Sequence, residues 1–269
     1  MSIDHELAGR VALITGGGKG IGRAIAVELA AHGVRVLLTG RDERDLGEAV
    51  GEIVHAGGRA RHVAGDVRDA THLREAVGRA IDLWGCLDIA VANAGSADGV
   101  GLGASTDGGD ESRFDRVRAV FETNLLGTYY LFDLAASRMT GPGRLLAVSS
   151  VLGKFGVAGQ AAYCASKAGL HGLVRAAACE LGPRRITCNA VCPGWVDTAM
   201  ARTRIANLAL DAGMTADEMA VRARNDLPLR RFVEAEEVAK LVAFLCSRAA
   251  DAITGQALSI CAGATSFAG

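Results

Sequence analysis

The feature that most constrains this chain is an alternation. Seven short runs rich in Val, Ile, Leu and Ala recur along it, at 10–15, 34–39, 59–65, 87–92, 144–149, 186–191 and 257–261. A run that is apolar throughout, rather than at every second position, belongs to a strand covered on both faces, as in a parallel sheet. Between the runs, the stretches 21–32, 46–56, 73–84, 114–137, 161–181 and 235–247 carry helical periodicity. Strand–helix alternation of this kind implies right-handed crossovers. The expected fold is therefore α/β, a doubly wound seven-stranded parallel sheet with helices on both faces. No linker, repeat or low-complexity block divides the chain, so 1–269 is read as one domain. Two stretches break the rhythm: a Gly- and Asp-rich one at 96–111, read as a long loop, and a poorly patterned helical one at 198–227. Both leave the carboxyl edge of the sheet, where ligands of open α/β folds bind, and are read as substrate loops.

The first run leads through TGGGKGIG, Thr15 to Gly22, directly into a helical stretch. Gly16, Gly20 and Gly22 permit a sharp turn and leave no Cβ between the backbone and a pyrophosphate; Gly18, Lys19 and Ile21 complete the turn. A helix beginning near Gly20 aims free N–H groups and its positive dipole end at such an anion. Placed between a strand and a helix, the string becomes a dinucleotide-binding signal, and the sheet a single-domain Rossmann fold. At the end of the second strand an NAD site would carry an acid for the ribose 2′-hydroxyl. This chain has Thr39 and Gly40 there, followed by Arg41. A carboxylate would repel a 2′-phosphate, whereas Arg41 and Lys19 attract it. NADPH is the expected cofactor and NAD(H) the alternative, with Asp42 and Glu43 close enough to neutralise part of the site. Asp66, followed by Val67, ends the third strand, where it either accepts from the adenine amino group or caps the next helix. Asn93, Ala94 and Gly95 end the fourth, as small residues beside the cofactor or as a tight turn.

In YCASK, Tyr163 and Lys167 are four apart on an expected helix, hence on one face. A free tyrosine titrates near 10, and a neighbouring ammonium favours the phenolate, bringing the phenol toward service as an acid/base. Ser150, thirteen residues earlier and just after a strand, is placed to hold the substrate oxygen near that phenol. Asn124 lies mid-helix, where an amide is a mediocre helix former, and is read as holding a water that resupplies Lys167 with protons. PGWVDT follows the sixth strand, so Pro193, Gly194, Val196 and Thr198 are read as walling the nicotinamide and binding its carboxamide.

Taken together, TGGGKGIG, NAG, Asn124, Ser150, YCASK and PGWVDT resemble the short-chain dehydrogenase/reductase family over essentially the whole chain. The resemblance implies an Asn124–Ser150–Tyr163–Lys167 tetrad. Lys19 and Arg41 resemble the NADPH-preferring members, and among subgroups the chain looks most like bacterial ketoreductases, including 3-oxoacyl-ACP reductases and aromatic polyketide ketoreductases. It also implies a homotetramer pairing last strands and two long helices. The 96–111 stretch looks longer than in compact acyl-ACP reductases, and no basic patch is clearly built for a carrier protein, although Arg138, Arg144 and Arg202 are candidates for one.

The expected activity is NADPH-dependent reduction of a ketone, bulky or polyketide-like, with Tyr163 as general acid. The alternatives are NAD-dependent oxidation of a secondary alcohol or diol, and a redox sensor that keeps the cofactor but has lost the chemistry. Composition excludes other classes. The net charge of −1 offers no pull toward nucleic acid or an anionic membrane surface, and no apolar run reaches membrane-spanning length. Seven cysteines show no CxxC pair and no His at zinc spacing, so no metal site is expected. Free thiols and a start, MSIDHELAGR, without the basic-then-apolar form of a signal peptide point to the cytoplasm.

Overall fold

A computed structural model describes residues 6–97, 102 and 109–267. Each of the seven apolar runs is a strand: β1 (Val11–Thr15), β2 (Arg35–Gly40), β3 (Arg59–Ala64), β4 (Ile89–Ala92), β5 (Gly143–Val148), β6 (Ile186–Pro193) and β7 (Ala257–Ile260). They form one parallel sheet in the order β3-β2-β1-β4-β5-β6-β7. Every residue of β1, β4, β5 and β6 is buried, which is why those runs are apolar without alternation. Ile14 of β1 lies beside Leu38 on one flank and Val91 on the other. The winding reverses there, so a crevice opens beyond the carboxyl ends of β1 and β4.

The helices are α1 (Gly20–Ala31), α2 (Glu43–His55), α3 (Ala70–Trp84), α4 (Gly109–Phe121), α5 (Gly127–Arg138), α6 (Ala161–Leu181), α7 (Ala199–Asp211), α8 (Ala216–Asn225) and α9 (Ala235–Cys246). Successive residues of β1 face opposite sides: Ala12 and Ile14 meet α1, α2 and α9 through Ile25, Leu46 and Val242, while Val11 and Leu13 meet α3, α5 and α6 through Leu73, Leu131 and Val174. This gives three layers with a core on each side of the sheet.

The differences from expectation lie at helix ends. Helices α2 and α3 start three residues before the periodic stretches at 46 and 73, because Asp42 accepts from the N–H groups of Arg44 and Asp45, and Asp69 from that of Thr71. Caps precede the apolar stripe, so periodicity alone places a start too late. The stretch 198–227 resolves into α7 and α8, each capped by a threonine, Thr198 and Thr215, and separated at Gly213. Of the expected loop at 96–111, residues 109–111 begin α4, whereas 98–101 and 103–108 lie outside the described residues. The expected helix at 114–137 is α4 and α5 joined by a wider π turn, Glu122–Leu126.

Candidate active site

The turn after β1 is built for close approach. Lys19, the residue before α1, is extended and its side chain does not cap the helix, so the first N–H groups of α1 keep no side-chain partner. A Cβ at Gly22 would lie 2.2 Å from the Gly16 carbonyl oxygen and 2.4 Å from Asn93 Nδ2; only glycine lets the helix approach the turn this closely. Asn93 Nδ2 donates to the carbonyls of Thr15 (3.1 Å) and Gly16 (3.0 Å), while Thr15 Oγ1 accepts from the N–H groups of Asn93 and Ala94 at 3.1 Å each. The amide of Asn93 therefore staples β4 to the glycine turn instead of facing a ligand. Gly18 packs on α2, and half-buried Ile21 follows as α1 begins. Across the crevice, Thr198 Cγ2 lies 3.5 Å from where a Gly20 Cβ would stand. An uncapped helix start and a cradle that any Cβ would fill fit a dinucleotide pyrophosphate.

The end of β2 carries no carboxylate. The Thr39 side chain is buried and its Oγ1 lies 2.6 Å from His72 Nε2. Arg41 is exposed just beyond, and Lys19 Nζ donates to Asp45 at 2.9 Å. The acids expected to neutralise this site are otherwise engaged: Asp42 caps α2, and Glu43 pairs with His62 at 2.8 Å. Asp45 holds Lys19 in their place. Asp66 neither caps α3, which Asp69 does, nor stands free. It accepts from the Arg68 backbone N–H (2.9 Å) and from the Arg68 guanidinium, whose hydrogen bonds hold its carboxyl below the usual range. Val67 is buried, its carbonyl against Gly127.

The four residues of the expected tetrad lie near the carboxyl ends of β4 and β5. Ser150 is extended, so its side chain points away from that of Ser149. Its hydroxyl accepts from the Leu152 N–H (3.1 Å) and hydrogen-bonds the Tyr163 phenol. Lys167 is 3% exposed; its ammonium lies 5.7 Å from the Tyr163 ring centroid and donates to the Val148 carbonyl at 2.8 Å. Burial lowers Lys167 to about 8. Burial also raises Tyr163, with the Ser150 hydrogen bond acting the other way. The expectation that Lys167 would lower the phenol is thus corrected: loss of hydration outweighs the Ser150 hydrogen bond, and the ammonium is not among the groups that shift it. The shift favours the neutral phenol, the form an acid needs.

Asn124 completes the expected set. It sits in the π turn, fully buried, with Nδ2 donating to the Ser96 carbonyl (2.9 Å) and Ser166 Oγ (3.0 Å), and Oδ1 accepting from the Ser96 N–H (2.8 Å). The amide thus ties the chain after β4 to α6. It still borders the lysine: a Cβ at Gly95 would be 3.4 Å from both Asn124 Oδ1 and Lys167 Nζ. On the opposite wall, Pro193 ends β6 and the Gly194 N–H donates to Ile260 O at 3.0 Å. Val196 is buried in a bridge to Val233, and Thr198 caps α7.

Comparison with known proteins agrees with this geometry. A family profile described as Enoyl-(Acyl carrier protein) reductase matches residues 16–265. The chain is 38% identical over 253 residues to a protein named as ketoacyl reductase 1 of the granaticin polyketide synthase of Streptomyces violaceoruber, covering 94% of this chain and 92% of that one. It belongs to the short-chain dehydrogenase/reductase family. It is also 34% identical over 262 residues to the 3-oxoacyl-(acyl-carrier-protein) reductase of Aquifex aeolicus, covering 96% and 98%. A solved structure of an actinorhodin polyketide ketoreductase variant with NADPH superposes with a TM-score of 0.90 at 33% identity, covering 99% of this chain and all of that one. Members of the family are oxidoreductases. Sequence reasoning missed His171, one turn beyond Lys167 on the same face of α6; its spacing of eight from Tyr163 was the available signal.

Proposed function

We propose that this protein is an NADPH-dependent ketoreductase that transfers a hydride to a ketone carbonyl while Tyr163 donates a proton to the carbonyl oxygen. The observation that carries this reading is the half-buried Tyr163 phenol, hydrogen-bonded to Ser150, with the Lys167 ammonium 5.7 Å from its ring centroid. NADPH supplies the hydride. Ser150 and Tyr163 together fix the ketone oxygen, and Tyr163 protonates it as charge develops there. Lys167 keeps a positive charge near the phenol as it gives up its proton. Asn124 holds Ser96 and Ser166 so that Gly95 stays against that lysine. An oxygen that ends as a hydroxyl suits this phenol, and the relatives named for ketoacyl reduction align with 94% and 96% of the chain.

The absence of an acid at the end of β2, with Lys19 and Arg41 flanking it, supports NADPH over NADH. Arg41→Asp is expected to shift preference toward NADH at least tenfold, about 1.4 kcal/mol or more. Apolar, half-buried Ala257, Leu258 and Ile260 on edge strand β7, and exposed Leu126 and Tyr129 around α5, support a homotetramer. A carrier-bound substrate gains no support from Arg144, which is 1% exposed, or from Arg202, paired with Asp197 at 2.9 Å; Arg138 remains exposed. Seven free cysteines support a reducing cytoplasmic setting, and among the described residues no helix is long and apolar enough to cross a membrane.

The test is fluorescence titration with NADPH and NADH followed by turnover of ketones, in the wild type and in Tyr163→Phe. The variant should bind NADPH as the wild type does and lose about a hundred- to ten-thousand-fold in kcat. Retained turnover would remove the phenol from the reaction.

A further inference from the structure

Directly behind the reacting groups lies a side chain that no step above uses. Tyr163, Lys167 and His171 are spaced by four along α6 and share one face. His171 Nε2 lies 3.0 Å from Ser149 Oγ and 3.3 Å from Cys192 Sγ. Ser149 Oγ also lies 3.0 Å from the Lys167 carbonyl, to which it can only donate. Its single proton is engaged there, so the Oγ lone pairs face the imidazole, which donates to them in the tautomer that carries its proton on Nε2. Cys192 Sγ in turn faces the backbone N–H of Ser150. The turn Val151–Gly153 closes over the ring: a Cβ at Gly153 would stand 2.8 Å from His171 Cε1. The imidazole is therefore wedged between the end of β5, the end of β6 and the turn that carries Ser150.

We propose that His171 is a positioning residue: through Ser149 and Cys192 it sets the backbone at Ser149–Ser150 so that the Ser150 hydroxyl meets the Tyr163 phenol. The inference rests on the reductase reading and extends it. Extended backbone sends adjacent side chains to opposite sides, so Ser149 is the handle by which the back of the site holds Ser150. Displacement of a positioning hydroxyl by about 1 Å costs on the order of a hundredfold in rate. Burial, with the charges of Lys154, Arg175 and Lys167 nearby, favours the neutral imidazole, which carries one ring proton.

The experiment compares wild type, His171→Leu, which removes the donor, and His171→Gln, which keeps an amide donor, using NADPH with α-tetralone and with ethyl acetoacetate. Rates are expressed per NADPH-binding site, so loss of folded protein does not count as loss of catalysis. His171→Leu is expected to lower kcat about ten- to a hundredfold while the NADPH Kd and ketone KM stay within about threefold; His171→Gln should recover most of the rate. Ser149→Ala, which removes the relay atom but leaves the wedge, should fall to a similar level, and the Ser149→Ala/His171→Leu pair no lower. A His171→Leu kcat equal to wild type per bound NADPH, a glutamine variant as slow as the leucine one, or fully additive losses would each overturn the proposal. Wild-type protein that binds NADPH but reduces neither ketone would overturn the reductase reading itself, and this inference with it.

Discussion

Strand β5 has a buried cation near each end, and the fold treats the two in opposite ways. At the amino end, Arg144 donates to the carbonyls of Ser247 (3.0 Å) and Gly143 (3.1 Å) and pairs with the Asp251 carboxylate. Ser247 caps the carboxyl end of α9, where the helix dipole favours a positive charge. At the carboxyl end, Lys167 donates to the Val148 carbonyl, and no carboxylate pairs with it among the described residues. A buried cation given a carboxylate and a helix end stabilises a fold. One given a carbonyl is destabilised in its charged form and drops to about 8, a shift of the kind that functional sites use. The glycines follow the same division. Gly22 on the carboxyl side leaves no room for a Cβ, whereas Gly57, at φ +86° before β3, has nothing within 4 Å and is needed for its backbone angle alone.

Substitution at both ends of β5 tests this contrast most strongly. Lys167→Met should keep its fold and lose about a hundred- to ten-thousand-fold in kcat. Arg144→Met should keep its kcat per folded molecule and lose roughly 1–3 kcal/mol in denaturant unfolding, the cost of freeing buried carbonyls from their donor. The reverse pattern would show that the two cations have been assigned the wrong roles. A pH profile sharpens the point. Lys167 is cationic below about 8, so the ketone-reduction rate should hold level below that pH and fall as pH rises through it. The limb should be missing from Lys167→Met if its residual activity is measured. Among the glycines, Gly22→Ala should weaken NADPH binding about tenfold or more through overpacking against Gly16, while its fold persists. The smallest change is expected for Gly57→Ala, about 1–2 kcal/mol of stability from the left-handed conformation, with NADPH affinity unaltered.

The strands and the glycine turn were legible because each is local. A strand buried on both faces needs an unbroken apolar run, and a pyrophosphate turn needs glycines at fixed offsets between a strand and a helix. Tyr163 and Lys167 could be paired for the same reason, one helical turn apart on α6. Asp42 and Asp69 were not read as caps because a cap lies outside the periodic stripe it starts. The direction in which Tyr163 shifts was misjudged because spacing reveals a neighbouring charge but not how much water the phenol loses.

Other assignments depended on partners distant in sequence. Lys19 meets Asp45, Arg144 meets Ser247 and Asp251, and Asn124 meets Ser96 and Ser166. Ser149, His171 and Cys192 come together because β5 and β6 are neighbours and α6 lies over both. By itself the sequence determined the doubly wound sheet, the dinucleotide turn and the tyrosine–lysine pair, since each is written within one or two turns of chain. Only the tertiary structure decided which arginine is buried, what holds Asn124 and what stands behind Ser150. Those depend on burial and on contacts between elements tens of residues apart, which no local pattern encodes.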